Sequence, residues 1–161
     1  MKKNICIVGL GYVGLPLAHA FAENKFKVIG LDINNKRIEE LKSNYDRTLE
    51  INESQLIDIK NSITYTTNIN DAIDSSIFIV TVPTPIDASN RPDLTPLIKS
   101  SELVGSILKK GDIVIYESTV YPGVTEDVCV PELEKKSNLK SKLSDIELKK
   151  ANKKLQQYIQ Q

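Results

Sequence analysis

The chain has 161 residues, enough for one domain with a proper core, and its 40% apolar and 26% charged content is ordinary for a soluble protein. Lys+Arg and Asp+Glu both number 21, so no overall field draws the chain to nucleic acid or to an anionic membrane. Cys6 and Cys129 lie far apart inside apolar runs, with neither a CxxC partner nor metal-ligand spacing, which reads as core filling in a reducing, cytoplasmic setting with no metal.

The opening apolar run is too short to span a membrane and lacks a cleavage-site pattern. Asn4 to Val8 (NICIV) reads instead as a buried parallel strand ended by glycine. A helix follows, with Val13, Leu17, Ala18, Phe21 and Ala22 at helical spacing and Pro16 in its first turns, where a missing N–H costs least. Phe26 to Leu31 is the second strand and stops at Asp32; Asn34 to Leu41 is helical, and a polar stretch containing Tyr45–Glu50 comes next. A short helix is expected over Ser54–Lys60, a third strand over Ile63–Thr67, and a helical turn over Asp71–Asp74. Ile77–Val82 (IFIVTV) is the clearest buried strand, followed by an amphipathic helix over Asp93–Lys109 that Gly111 closes. Ile113–Tyr116 is a further strand, and a last helix should start near Pro122 and run toward Leu133.

Apolar strands alternating with helices predict an α/β, Rossmann-type, doubly wound parallel sheet. The chain divides into a domain over residues 1–140 and a Lys/Gln-rich tail over 141–161. That tail carries five Lys against two acids, and Ser144 and Glu147 form a capping box before a stripe of Leu148, Ala151, Leu155, Tyr158 and Ile159. An added C-terminal amphipathic helix is expected there.

Gly9-Leu10-Gly11-Tyr12-Val13-Gly14 is a G-x-G-x-x-G that directly follows the first strand and opens the first helix. In that context Gly9 permits the tight turn, Gly11 lets the backbone approach a pyrophosphate, and Gly14 lets the helix pack closely on the strand. The helix N-terminus adds unsatisfied N–H groups and a positive dipole end. Asp32 stands eighteen residues past Gly14 at the end of strand two, placed to accept both ribose hydroxyls and to repel a 2′-phosphate, so NAD is expected rather than NADP. Arg37 complicates this, since a nearby Arg can welcome that phosphate; with Asp32 present it reads as flanking the adenine, and otherwise as a solvated helix charge. Two more loops leave the same sheet edge, Val82-Pro83-Thr84-Pro85 and Glu117-Ser118-Thr119-Val120-Tyr121-Pro122-Gly123. Thr84 and Ser118 either face the nicotinamide half or simply cap their turns.

Taken in order, the GLGYVGLPL run, Asp32-Ile-Asn with Arg37, Val82-Pro-Thr-Pro with Pro92-Asp93-Leu94, and Tyr116-Glu-Ser-Thr-Val-Tyr-Pro-Gly resemble the nucleotide-sugar 6-dehydrogenases. These include the UDP-glucose, GDP-mannose and UDP-N-acetylhexosamine enzymes. The run from Asp93 to Gly123 is most similar to the UDP-N-acetylglucosamine/galactosamine enzymes of capsule and O-antigen synthesis. The resemblance implies NAD contacts from Tyr12, Val13, Asp32, Arg37, Thr84 and Thr119. It implies a sugar C6 alcohol oxidised twice, the second time through a thioester on a catalytic cysteine, with Thr119 helping to position a water.

The resemblance covers residues 1 to about 140. The family's sixth strand, its loop with an essential Glu, the Gly-rich cysteine motif with Lys and Asn partners, and the UDP-holding domain have no counterpart in the sequence. Neither Cys6 nor Cys129 matches the nucleophile's flanks, and His19 has no nucleophilic partner. The chain is therefore expected to be a cofactor-binding portion, inactive alone, with a UDP-sugar as partner only of a full-length parent. A 2-hydroxy-acid or 6-phosphogluconate type is disfavoured by the VPTP and ESTVYPG loops. A stand-alone NAD-binding module, or a homodimer formed through the tail helix, is the alternative without catalysis.

Overall fold

The computed structural model describes residues 4–86 and 91–141. The expected tail helix lies outside these residues. Five short strands, β1 (Ile5–Val8), β2 (Val28–Leu31), β3 (Ile63–Thr66), β4 (Ile77–Val80) and β5 (Ile113–Tyr116), form one sheet in the order β3-β2-β1-β4-β5. Every pairing is parallel, in register from Ile5↔Val28 and Ile5↔Ile77 outward. The doubly wound α/β expectation therefore holds. The chain reverses direction across the sheet between β1 and β4, so the loops after these two strands border the crevice where such sheets bind ligands.

Strand alternation splits the core in two. On one face Ile5, Ile7, Ile79 and Ile115 pack with Leu15, Ala18 and Phe21 of α1 (Gly14–Glu23). The same cluster takes Ile38 and Leu41 of α2 (Asn35–Lys42) and Leu56 and Ile59 of α3 (Glu53–Ile59). On the other face Cys6, Val8, Phe78 and Val80 meet Leu97 and Val104 of α4 (Thr95–Gly105) and Leu133 of α5 (Val130–Ser137). Both thiols are buried and free, and burial pushes Cys6 up to about 12, so it is inert packing.

Most element ends shift by a residue or two from the expected ones, with β2 starting at Val28 rather than Phe26 and the helical turn lying at Ile69–Ala72 rather than Asp71–Asp74. The shifts in β4, α4 and the last helix have local causes. β4 ends at Val80 rather than Val82, because Thr81 turns its hydroxyl onto the Val8 and Gly9 carbonyls. α4 starts at Thr95, after Asp93 has accepted the Thr95 amide in a local turn, and stops at Gly105 instead of Lys109. The last helix begins at Val124, and a π-turn over Thr125–Cys129 precedes Val130. Pro131 carries no N–H and its ring crowds the carbonyl four residues earlier; the wider π-turn just before it relieves that clash.

Among the described residues, no helix is long and apolar enough to cross a membrane.

Candidate functional site

All five parallel strands deliver their carboxyl ends to one edge. The first loop there turns at Gly9, whose φ of +94° suits glycine alone without strain, and Gly9 N–H donates back to the Leu31 carbonyl at 2.8 Å. Thr81 Oγ1 donates to the Gly9 carbonyl at 2.7 Å and so fixes the turn from the β4 side. α1 then starts so close to this loop that a Cβ on Gly14 would lie 1.8 Å from the Gly9 oxygen. A Cβ on Gly11, by contrast, would meet nothing within 4 Å. The three glycines thus do different work: Gly9 makes the turn, Gly14 permits the packing, and Gly11 keeps an open approach to the helix N-terminus. Leu15 N–H donates to the Gly11 carbonyl at 3.1 Å and Pro16 has no N–H, so the amides of Tyr12, Val13 and Gly14, in the turn that opens α1, are the donors that this open space leaves for a pyrophosphate.

Leu10, between two of these glycines, is gripped at both backbone atoms. Its N–H donates to Asp32 Oδ2 at 2.8 Å, and its carbonyl accepts from Arg37 Nε at 2.8 Å. Asp32 also takes the Asn34 N–H on Oδ1 at 2.9 Å, which fixes the carboxylate at the β2 end with lone pairs left for hydroxyl donors. Tyr12 (69% exposed), Val13 (54%) and Ile33 (86%) stand out of this edge as apolar groups in water. Such a cluster fits the apolar flanks of a bound dinucleotide.

Arg37 is not a solvated helix charge. It is only 4% exposed, and Nη1 lies 2.8 Å from Oδ1 of Asp46, itself 4% exposed. Asp46 in turn accepts the Thr48, Glu50 and Ile51 amides and the Thr48 hydroxyl. Burial opposes ionisation of Asp46, but hydrogen bonds from Thr48, Arg37 and Ile51 outweigh it and hold the carboxyl below its usual range. Sequence reading missed Asp46, because nothing in the spacing of Tyr45–Glu50 links it to Arg37. Thr81 was also missed, although a hydroxyl inside the apolar run IFIVTV is a visible irregularity.

The two proline-stiffened loops are stitched to each other by the hydroxyls singled out in sequence. Ser118 Oγ donates to the Val82 carbonyl and Thr84 Oγ1 to the Thr119 carbonyl, both at 2.7 Å. Ser118 and Thr84 therefore hold the loops together while keeping acceptor lone pairs, and Thr119 is left exposed at the rim. Behind them, Tyr116 and Ser101 share a 2.5 Å hydrogen bond that ties β5 to α4. His19 is buried on α1.

Glu117, whose N–H donates to the Val80 carbonyl at 2.9 Å, has its carboxyl raised above the ordinary value by burial. The folded chain then holds that proton more tightly than the unfolded chain. Stability is greatest below the unfolded value, about 4.3, and falls as pH rises through the raised folded value. Glu117→Gln should therefore raise the melting temperature at neutral pH, and melting curves should show that gain shrinking as pH drops toward ~4. A gain that is the same at both pH values would mean the carboxyl is not desolvated.

The family model described as the UDP-glucose/GDP-mannose dehydrogenase family, NAD binding domain, matches residues 3–155. Protein CapL of Staphylococcus aureus is 58% identical over 140 residues, covering 86% of this chain and 32% of that protein. The UDP-N-acetyl-D-glucosamine 6-dehydrogenase of Pseudomonas aeruginosa is 55% identical over 136 residues, covering 84% of this chain and 32% of that protein. Among solved structures, a UDP-D-ManNAc dehydrogenase from Pyrococcus horikoshii superposes with a TM-score of 0.81 at 31% identity, covering 87% of this chain and 34% of that one. The chain thus spans about a third of the length of the relatives it matches.

Proposed function

Since the chain belongs to the UDP-glucose/GDP-mannose dehydrogenase family through its NAD-binding domain, we propose that it serves as the cofactor half of a UDP-N-acetylhexosamine 6-dehydrogenase. The observation that carries this is the double grip on Leu10 by Asp32 and Arg37 beside the open Gly11 approach. In this reading Gly9, Gly11 and Gly14 seat the pyrophosphate, and the amides of Tyr12 and Val13, in the turn that leads into α1, face it. Asp32 accepts the adenine ribose hydroxyls. Thr84 and Ser118 hold the nicotinamide-side loops in register, and Thr119 presents a hydroxyl that can donate to and accept from a water near the reacting carbon. NAD, when bound, supplies the oxidant for the sugar alcohol; everything this chain does is binding, orienting and shielding.

The covalent part of such an oxidation needs a reactive thiol, and neither buried cysteine offers one. A UDP-sugar partner belongs to this reading only with a full-length parent, and a homodimer of this chain belongs to the alternative without catalysis. The free buried thiols support a cytoplasmic location.

Calorimetric titration of the 161-residue chain with NAD and NADP tests the proposal. Saturable NAD binding, weaker NADP binding and no turnover of UDP-N-acetylglucosamine are expected. Turnover by the purified chain, or no NAD binding by folded, monodisperse protein, would overturn it.

A further inference from the structure

The geometry points to Asp46 as a positioning and selectivity residue for the cofactor, acting by holding the Arg37 guanidinium away from a 2′-phosphate. This inference rests on the NAD-binding reading above.

Arg37 and Asp32 reach the same residue: one takes the Leu10 carbonyl and the other its N–H, each at 2.8 Å. The guanidinium therefore lies beside the carboxylate proposed to accept the adenine ribose. An arginine so placed is the group that ordinarily favours a 2′-phosphate. Here it is sequestered. Asp46 approaches Nη1 at 2.8 Å as an ion pair, both side chains are almost fully buried, and neither Nη1 nor Nη2 has a well-aligned hydrogen-bond acceptor among the described residues.

Asp46 can hold that pose because it is itself fixed. The Thr48 hydroxyl contacts its two oxygens at 2.7 and 2.8 Å, and the Glu50 and Ile51 amides donate to Oδ2 at 3.0 and 3.1 Å. One carboxylate thereby connects the 46–51 loop to α2 and, through Arg37, to the turn between Gly9 and Gly11. Asp32 repels the 2′-phosphate directly, and Asp46 removes the cation that would have offset the repulsion. Without Asp46, a guanidinium with an unpaired Nη2 would turn outward and gain a phosphate partner.

The test titrates NAD and NADP into the 161-residue chain as wild type, Asp46→Asn, and Asp46→Asn with Arg37→Gln. Asp46→Asn should raise the NADP-to-NAD affinity ratio about tenfold, the scale of one charge-assisted hydrogen bond, and the double variant should abolish the gain. A merely structural Asp46 would weaken both dinucleotides together and leave the ratio unmoved, which would overturn the inference. So would a gain that persists without Arg37.

Phenylglyoxal labelling of Arg37, read by mass spectrometry on the chain without cofactor, separates this from the NAD-binding reading itself. Labelling should be slow in wild type and faster in Asp46→Asn. Equal rates would overturn the inference even if the chain bound NAD, and no NAD binding would count against the proposed function instead. Should Asp46→Asn fail to fold, Thr48→Val, which removes only the hydroxyl contacts to the carboxylate, carries both measurements. A smaller shift in the same direction supports the inference, and no shift in either refutes it.

Discussion

Gly14→Ala should destabilise the fold by about 3 kcal/mol or more and lower the melting temperature by about 10 °C. The new methyl would sit 1.8 Å from the Gly9 carbonyl oxygen and 2.4 Å from Thr81 Oγ1. Neither neighbour can yield cheaply. The Gly9 oxygen is backbone in a turn already held by φ of +94°, and Thr81 Oγ1 is the group that bonds that oxygen. Relief would require α1 to lift off β1, undoing the packing of Leu15 and Ala18 on Ile5 and Ile7. Gly11→Ala is the matched control, because its methyl meets nothing within 4 Å. That variant should melt within about 1 kcal/mol of wild type, the ordinary cost or gain of a Gly-to-Ala change at a permissive backbone. It should nonetheless bind NAD more weakly, since the methyl fills the space through which the pyrophosphate approaches. Thermal melts and NAD titrations of the two proteins would separate a glycine required by packing from one required by the ligand. If both variants lost stability equally, the assignment of Gly11 to the ligand would fail.

The reasons for that contrast also mark how far the sequence could be read. The strand and helix order was legible because a buried parallel strand is apolar along its whole length, as IFIVTV and NICIV are, and because G-x-G-x-x-G needs a strand before it and a helix after it. Asp32 was legible for the same reason, as an acid at the end of strand two. Arg37 was only half legible. Its position in the first turn of α2 pointed to the cofactor edge, but its orientation depends on Asp46, nine residues on and across a loop. Side-chain pairing of that kind leaves no periodicity. The stitching of Ser118 to Val82 and Thr84 to Thr119 was hidden likewise, since thirty-five or so residues separate hydroxyl from carbonyl. The shortened α4 and the π-turn before Pro131 reflect local backbone competition, which hydrophobic spacing does not register.

Asp32→Ala should cost NAD binding about a hundredfold, because two hydroxyl hydrogen bonds to a charged acceptor are lost, each contributing ~1.5 kcal/mol or more. Part of the loss comes from the protein itself. Without the carboxylate, the Leu10 and Asn34 amides lose acceptors at 2.8 and 2.9 Å, so the turn at Leu10 keeps only its Arg37 clip. NADP makes no hydroxyl bond at the 2′ position and should be weakened far less. Discrimination between the two dinucleotides then falls through loss of NAD, with Arg37 still held by Asp46. Asp46→Asn reduces discrimination by the opposite route, through a gain of NADP. Asp32→Asn should lie between wild type and alanine, since its amide oxygen can still accept one backbone N–H while its NH2 cannot accept the other. Wild-type affinity for NAD in Asp32→Ala would place the adenine ribose elsewhere on the edge. It would also leave the grip on Leu10 as a device for shaping the turn alone.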